Sequence, residues 1–264
     1  MTDAKTGQVT ARAAELYEQF FVPALFDQWP RRLLDAAGVH DGHDVLDVAC
    51  GTGVLARTAV EHVGERGSVT GLDLNDGMLT VASGLRPDIT WVPGRAESMP
   101  FTDESFDHVF CQFGLMFFAD RRAAVREMAR VARRGSSISV ATWAGLDETP
   151  GYAAMVQLLD ELFGQEAADA LTAPFTIGTP TELADVLTGI VEPVEVRRLE
   201  GRARFPSIDA WVATDVRAWT LRDLIDDAQF DDLLATARIR LRPFTDATGA
   251  VDFAAPALVA RARR

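Results

Sequence analysis

The chain has 264 residues, of which 48% are hydrophobic and 25% charged. This composition excludes a disordered or fibrous protein and predicts a single packed domain. Its net charge of -13 would repel phosphate backbones and argues against nucleic acid as a partner.

The start of the chain is polar, and no apolar run approaches the roughly 18 residues of a membrane span. The sequence therefore predicts a cytoplasmic protein with neither a signal peptide nor a membrane contact. Only Cys50 and Cys111 are present, and the four histidines are scattered. We predict no bound metal and two free thiols in a reducing cytoplasm.

The first predicted elements are helical. Apolar residues recur at three- and four-residue spacing from Val9 to Ala37, which predicts two helices broken near Pro23. Gly38 is a suitable C-cap for the second helix. Residues 1–38 are interpreted as an N-terminal helical cover.

Short apolar runs then alternate with helical stretches across residues 39–143. The predicted strands are Asp44–Val48, Ser68–Leu72, Ile89–Val92, Phe106–Cys111 and Ser136–Thr142, and the predicted helices are Val54–His62, Asp76–Gly84 and Arg121–Arg133. This alternation predicts βαβ units, and hence a parallel sheet with right-handed crossovers and helices on both faces.

The regular repeat ends after Trp143. Helices are predicted over Tyr152–Leu171, Pro180–Gly189, Ile208–Trp219 and Ala228–Arg240, and strands over Val194–Phe205 and within Ala250–Val259. Pro256 predicts that the last strand is an edge strand or carries a bulge. Residues 144–180 and 206–243 are interpreted as cap insertions within one domain that spans residues 1–264.

The segment VLDVACGTGVLA, Val45–Ala56, predicts a strand, a turn of small residues and a helix. Gly51 and Gly53 would let backbone N–H groups approach a ligand closely. Asp73 ends the second strand, where a carboxylate accepts hydrogen bonds from ribose hydroxyls. Either feature alone could be a tight turn or a helix cap, but together they predict a nucleoside site.

The type of nucleoside follows from one carboxylate. Gly51, Gly53 and Ala56 also fit the pattern of dinucleotide-binding proteins. Asp47, at the end of the first strand, is out of place beside a pyrophosphate. It suits S-adenosylmethionine, which has no phosphate and carries a sulfonium and an ammonium group. A nicotinamide-dependent (NAD(P)) oxidoreductase remains the alternative enzyme.

The chain resembles the class I methyltransferase family, specifically its ubiquinone-biosynthesis-like branch of small-molecule enzymes. The family motif D-x-G-x-G-x-G is matched by Asp47, Ala49, Gly51 and Gly53, with Ala49 replacing the first glycine. The resemblance covers about residues 15–145. It implies a Rossmann-like, seven-stranded, mostly parallel sheet, S-adenosylmethionine as cofactor, and N-terminal helices with helical cap insertions.

The resemblance also implies residue roles. The glycine turn would lie along the methionine part of the cofactor, Asp73 would bind the ribose, and the residues after Asp73 would lie near the adenine. The segment GRAESMPF resembles the family's G-D-A-x-x-L-P-F, which carries Ala96 over as an adenine contact while Arg95 replaces the Asp. The implied cofactor-binding residues are Asp47, Ala49, Gly51, Gly53, Asp73, Leu74, Asn75, Met78, Ala96, Cys111, Gln112 and Phe113.

The implied reaction is methyl transfer to O, N or C of a small molecule by in-line displacement. Orientation of an acceptor behind the S–CH3 bond can lower a barrier by roughly 7 to 11 kcal/mol, so no general base is required. Tyr17, Tyr152 and His108 are the candidate bases, although tyrosines more often pack and a histidine such as His108 is more often a core or edge residue. Asp215 is predicted to be a solvated helix position.

Aromatic residues are concentrated in the N-terminal and cap helices, at Phe20, Phe21, Phe26, Trp29, Phe163, Phe175, Trp211 and Trp219. Most are expected to be core. Because both regions usually cover the strand ends where ligands bind, we hypothesise that some form an aromatic or apolar acceptor pocket and a lid. A homodimer is one expected assembly, and a cofactor-binding fold member without methyl transfer is a further alternative.

Overall fold

A seven-stranded sheet lies at the centre of the computed structural model, which describes residues 11–217, 221 and 224–264. In sheet order its strands are β3 (Thr90–Pro93), β2 (Ser68–Asp73), β1 (Asp44–Val48), β4 (Phe106–Gln112), β5 (Ala132–Trp143), β9 (Ala257–Arg263) and β6 (Val194–Leu199). Strands β1 to β5 pair in parallel, whereas β9 is antiparallel to both of its neighbours. The predicted mostly parallel, Rossmann-like sheet is confirmed.

The helices are α1 (Ala11–Leu16), α2 (Pro30–Ala37), α3 (Val54–Val63), α4 (Asp76–Leu85), α5 (Arg121–Val131), α6 (Pro150–Phe163), α7 (Gln165–Thr172), α8 (Pro180–Leu187), α9 (Ile208–Arg217) and α10 (Asp227–Arg240). They pack around the sheet and bury its strands. Val45, Leu46, Val109 and Phe110 on the central strands have no exposed surface, as expected for a parallel sheet covered on both faces. Within the described residues no helix has the length and apolar character needed to span a bilayer.

The N-terminal break differs from the prediction. Helix α1 continues into a π-helical stretch, Tyr17–Phe26, and Pro23 lies inside it, so the chain breaks instead over residues 27–29. Pro23 donates no backbone hydrogen bond, yet the helical stretch continues past it to Phe26. Gly38 ends α2 with φ of 77°, as predicted.

The C-terminal half corrects two predicted strands. The run Val194–Phe205 forms β6 and, after Glu200 and Gly201, β7 (Arg202–Phe205), which pairs with β8 (Val251–Ala254) in a separate two-stranded sheet. Pro256 lies between β8 and β9, so the last strand is neither bulged by it nor at an edge. Strand β9 is hydrogen-bonded on both sides because Pro256 precedes its ladder and removes no bond from it.

Two helix predictions also change. The predicted helix Tyr152–Leu171 is divided into α6 and α7 at Gly164, whose φ of 83° falls in the left-handed region that a helix does not use. The predicted helix Arg121–Arg133 ends earlier, because β5 begins at Ala132. Trp219, at the end of another predicted helix, lies outside the described residues.

Candidate active site

The turn between β1 and α3 is held by the carboxylate of Asp73. Gly51 N–H donates to Asp73 Oδ2 at 2.8 Å, and Asn75 N–H donates to Asp73 Oδ1 at 2.8 Å. Burial raises the pKa of Asp73, while these backbone N–H groups oppose that rise. An ionised carboxylate has about four acceptor sites, so Asp73 holds the turn and still has acceptor sites for ribose hydroxyls.

Ala49 has the backbone conformation of a glycine. Its φ is 56°, in the left-handed region that costs an ordinary residue roughly 1–2 kcal/mol. A Cβ added to Gly114 would lie 2.6 Å from the Ala49 Cβ, so the two segments touch here. The replacement of the family's glycine by Ala49 therefore adds strain beside the turn.

Asp47 lies beneath the turn rather than in its opening. It is only 2% exposed, and Ala56 N–H at the start of α3 donates to its Oδ2 at 3.1 Å. Burial raises the pKa of Asp47 to about 8. A cation bound above the turn would favour the charged form of this carboxylate, since opposite charges lower the pKa of an acid.

Gly53 is required by packing against the neighbouring strand. Its φ is 83°, and an added Cβ would lie 2.3 Å from the Trp91 indole on β3. An added Cβ at Gly71 on β2 would lie 2.4 Å from the same ring. Trp91 thus occupies the space that side chains at both positions would need.

A cleft of about 1140 Å³ lies at the carboxyl ends of β1, β2 and β4. Its lining includes nine of the twelve predicted cofactor-binding residues: Ala49, Gly51, Asp73, Leu74, Asn75, Met78, Ala96, Gln112 and Phe113. Three predicted residues do not line it: Asp47 and Gly53 lie behind the turn, and Cys111 is fully buried in β4. Arg95 lines the cleft and pairs with Glu97 at 3.6 Å.

The donors and acceptors of the cleft fit S-adenosylmethionine. Gln112 Oε1, at the end of β4, is buried and has no hydrogen-bond partner, and a buried polar atom of this kind requires one. An ammonium group from the ligand would supply it. With the carboxylate of Asp73 for a ribose, the cleft offers acceptors for both polar ends of this nucleoside.

A second cavity of about 630 Å³ adjoins the cleft, and Tyr17, Phe113 and Phe117 line both. We call it the aromatic chamber. Its lining residues are Tyr17, Phe21, Leu25, Phe26, Phe113, Phe117, Trp143, Thr149, Tyr152, Leu171, Pro174, Phe175, Asp215 and Ala255. Phe21, Phe26 and Phe175 from the predicted aromatic set thus line the chamber, while Trp29 and Trp211 are fully buried.

The junction between cleft and chamber is built from closely packed rings. Phe113 stacks on Trp143 with ring centroids 4.0 Å apart, and Tyr17 stacks on Phe26 at 5.4 Å. Phe113 has a φ of 57°, and such strain is maintained only where surrounding packing determines it. The N-terminal helices and the ends of β4 and β5 therefore form a fixed wall that the two cavities share.

Asp215 is the main correction to the predicted site. It is 3% exposed rather than solvated, and it lines the aromatic chamber. Tyr152 Oη donates to its Oδ1 at a long 3.4 Å, while Oδ2 accepts no hydrogen bond. The pattern in α9 contained this signal, because Trp211, Val212, Asp215 and Val216 recur at helical spacing and place the carboxylate on the apolar face.

Burial raises the pKa of Asp215 to about 8. The indole N–H of Trp211 lies close enough to favour the charged carboxylate, although it does not reach hydrogen-bond geometry. Burial also raises the pKa of Tyr17 and of Tyr152. Both phenols are therefore neutral hydrogen-bond donors at ordinary pH.

The remaining candidate base lies elsewhere. His108 is in the amino-terminal half of β4, opposite the ligand-binding end of the sheet. Its Nε2 is 2.9 Å from His43 Nδ1, and its Nδ1 is 2.7 Å from Ser137 Oγ. Burial lowers its pKa to about 4. The structure thus brings Tyr17 and Tyr152 to the chamber and leaves His108 outside it.

Comparison with known proteins gives one matching family model. Residues 9–152 match the model of the ubiE/COQ5 methyltransferase family. The ubiquinone/menaquinone biosynthesis C-methyltransferase UbiE of Shewanella woodyi is 38% identical over 118 residues, which make up 42% of this chain and 47% of the relative. The demethylmenaquinone methyltransferase of Renibacterium salmoninarum is 42% identical over 115 residues, 43% of this chain and 47% of the relative.

The chain spans about half the length of the curated relatives it matches. Among solved structures, phosphoethanolamine N-methyltransferase 2 of Haemonchus contortus, in complex with phosphomonomethylethanolamine and S-adenosylhomocysteine, superposes with a TM-score of 0.61 and 16% identity. The match covers 96% of this chain and 57% of that chain. At this identity the likeness concerns the fold alone.

Proposed function

The chain belongs to the ubiE/COQ5 methyltransferase family, and we propose that it transfers the methyl group of S-adenosylmethionine to a small, largely apolar acceptor. The observation that carries the proposal is the contact between the two cavities. Tyr17, Phe113 and Phe117 line both the cleft and the aromatic chamber. A ligand in the chamber would therefore lie next to a cofactor bound in the cleft.

The residues of the cleft would bind the cofactor and orient it. Asp73 would hold the ribose, Gln112 Oε1 would accept from the ammonium group, and the charged form of Asp47 would favour a cation above the turn. When bound, the cofactor supplies a methyl group activated by a sulfonium. The protein need only align an acceptor atom behind that group.

The chamber excludes water from this alignment. Apolar or aromatic side chains form most of its wall, and among the described lining residues the hydroxyl and carboxyl groups come from Tyr17, Thr149, Tyr152 and Asp215. An apolar acceptor would displace water from these rings and gain roughly 25 cal/mol per Å² of buried apolar surface. This supports an aromatic or apolar acceptor, as the sequence predicts.

The acceptor that the names of the relatives imply is not assigned to this chain. The match to the family model ends at residue 152, whereas Leu171, Phe175, Asp215 and Ala255 of the chamber follow it. A quinone acceptor belongs to those relatives. Homodimer formation and a cytoplasmic location stay predictions for this chain.

The test is calorimetric titration with S-adenosylhomocysteine, followed by transfer of a labelled methyl group to a panel of phenolic and polyketide-like acceptors. Saturable binding and labelled product support the proposal, and Asp209→Asn, a carboxylate change on the surface of α9, should alter neither. Preferred binding of NAD would favour the oxidoreductase alternative. Cofactor binding without transfer to any acceptor would overturn methyl transfer.

A further inference from the structure

A further cavity, of about 630 Å³, has a wall rich in positive charge. We call it the arginine cavity, because among the described residues its lining contains one carboxylate, Asp107, and four arginines: Arg133, Arg134, Arg261 and Arg263. The chain as a whole has a net charge of -13. Since like charges repel one another, four cations around one cavity of an acidic protein indicate a site for an anion.

The arginine cavity lies at the end of the sheet opposite the cofactor cleft. Arg133 and Arg134 are near the start of β5, and Arg263 pairs with Ser137 in the antiparallel ladder between β5 and β9. The cleft lies at the carboxyl ends of parallel strands, so the start of β5 is at the other end of the sheet. The arginine cavity shares no lining residue with the cleft or with the aromatic chamber.

Two of the four arginines have acidic partners. Arg133 is held between Asp44 at 2.9 Å and Asp107 at 2.6 Å, so its charge is offset. Arg134 pairs with Glu104 at 3.3 Å, but the side chain of Arg134 is 87% exposed. Exposed ion pairs of this kind are weak, which leaves the guanidinium group of Arg134 available to a ligand.

Arg261 and Arg263 pair with no carboxylate in the part of the chain that the structure describes. Arg261 donates to the backbone carbonyls of Ala36 and Ala37 at the end of α2, and Arg263 donates to Gly135 O at 3.3 Å. A guanidinium group has five N–H donors, so both side chains keep donors for a ligand. The backbone bonds also hold the two guanidinium groups in place.

A buried hydroxyl group in the same wall lacks a partner. Ser136 Oγ is buried and forms no hydrogen bond within the described residues, and a buried polar atom of this kind requires one. The hydroxyl of the next residue, Ser137, is satisfied by His108 Nδ1 at 2.7 Å. Ser136 therefore offers the cavity a hydroxyl donor in addition to the guanidinium groups.

We propose that the arginine cavity binds a phosphate group, through the guanidinium groups of Arg134, Arg261 and Arg263 and the hydroxyl group of Ser136. A phosphate group carries about -1.5 to -2 charges at pH 7 and has three strong acceptor oxygens. The planar fork of a guanidinium group matches two of these oxygens at once. A carboxylate has a single charge and two oxygens, so it would leave more of the positive charge unbalanced.

Calorimetric titration with inorganic phosphate at low ionic strength tests the site. We expect saturable binding of one phosphate per chain, with the same affinity when S-adenosylhomocysteine is present in excess, because the cleft is at the other end of the sheet. Absence of phosphate binding would overturn the proposal. Loss of phosphate binding on addition of S-adenosylhomocysteine would also overturn it, since the phosphate would then lie in the cleft.

Variants assign the binding to the arginine cavity. Arg263→Gln should weaken phosphate binding about tenfold and Ser136→Ala about fivefold, the effects of losing a charged and a neutral donor. Ser136→Ala should leave the thermal melt unchanged, because this hydroxyl bonds no described residue. Arg238→Gln is the matched control: it removes the same charge from α10, where Arg238 is bonded to Asp209 at the surface. Equal losses in Arg238→Gln and Arg263→Gln would show that net charge alone attracts phosphate, and would overturn the proposal.

The phosphate group could belong to a soluble compound or to a lipid headgroup, and sedimentation with vesicles distinguishes the two sources. The vesicles contain phosphatidylcholine with or without phosphatidylglycerol. Binding of inorganic phosphate without attachment to either vesicle indicates a soluble phosphate compound. Attachment to the phosphatidylglycerol vesicles that Arg263→Gln weakens indicates a lipid headgroup. Both results support a phosphate site in the arginine cavity.

Discussion

Asp73 in the cofactor cleft and Asp215 in the aromatic chamber are held in opposite ways. Both oxygens of Asp73 accept 2.8 Å bonds from backbone N–H groups of its own cleft. Asp215 has one long bond from Tyr152 and one unused oxygen. Backbone groups thus satisfy both oxygens of Asp73, whereas one oxygen of Asp215 has no hydrogen-bond partner.

This difference reflects how the two cavities are assembled. The cleft is formed by turns that directly follow β1 to β4, so a short segment specifies it. The chamber brings together residues as far apart as Tyr17 and Ala255. The family model covers the cleft and nine of the fourteen residues that line the chamber, and it ends before the other five, Leu171, Pro174, Phe175, Asp215 and Ala255.

The largest expected effect is on the cleft. Asp73→Ala removes the ribose acceptor and the group that holds the Gly51 N–H, and two charge-assisted hydrogen bonds contribute about 1.5–3 kcal/mol each. Affinity for S-adenosylhomocysteine should fall by roughly 100-fold or more, measured by calorimetry. An unchanged affinity in a folded variant would show that the cleft does not bind the ribose through Asp73.

The second-largest expected effect is on stability, through the packing of Gly53 against Trp91. Gly53→Ala forces a Cβ to within 2.3 Å of Trp91 at a φ of 83°, so the free energy of unfolding should fall by about 3 kcal/mol in urea titrations. Gly84→Ala is the control, since an added Cβ there meets nothing within 4 Å. In helix α4 that change should stabilise by up to about 1 kcal/mol. Equal effects at both glycines would contradict the packing argument.

The buried carboxyl group of Asp215 should make the stability of the protein depend on pH. The pKa of Asp215 is raised to about 8 by burial, so the folded state binds the extra proton, and its contribution to stability is fully present below the unfolded pKa and lost as pH rises through about 8. Asp215→Asn should thus be more stable than wild type by about 2 kcal/mol near pH 9, with a smaller difference near pH 5.

Asp209→Asn checks the sign of this prediction. The Arg238 guanidinium lowers the pKa of Asp209, so the stability from this carboxylate is present above its unfolded pKa and lost as pH falls. Its exposed side chain limits the effect to a few tenths of a kcal/mol. A pH-independent difference for Asp215→Asn in urea titrations would mean that Asp215 stays charged in the folded protein.

The smallest effect concerns the strained turn. Ala49→Gly removes the strain of a φ of 56° and restores the glycine of the family motif. Part of that gain is offset by the greater freedom of glycine in the unfolded chain, so we expect stabilisation by about 1 kcal/mol in thermal melts. Lower stability would indicate that the Ala49 methyl contributes more by packing than its backbone strain costs.

Local patterns were sufficient for the sheet and for much of the cleft lining. Strands β1 to β5 were predicted within a few residues, because buried parallel strands are short apolar runs bounded by turns. Predictions failed where pairing partners lie far away in sequence. The run Val194–Phe205 had a uniform strand pattern, yet its halves join different sheets, and Pro256 marked a strand boundary rather than an edge.

By itself the sequence determined the family and the turn of small residues between β1 and α3, because a strand, a turn of small residues and a helix need only neighbouring residues to form. Only the tertiary structure shows that Asp215 is buried and that Phe113 and Tyr17 line two adjoining cavities. It also shows that the Trp91 ring occupies the space that a side chain at Gly53 would need. The physical reason is that burial depends on which distant segments cover a residue, and the spacing of residues along one helix or strand does not specify those partners.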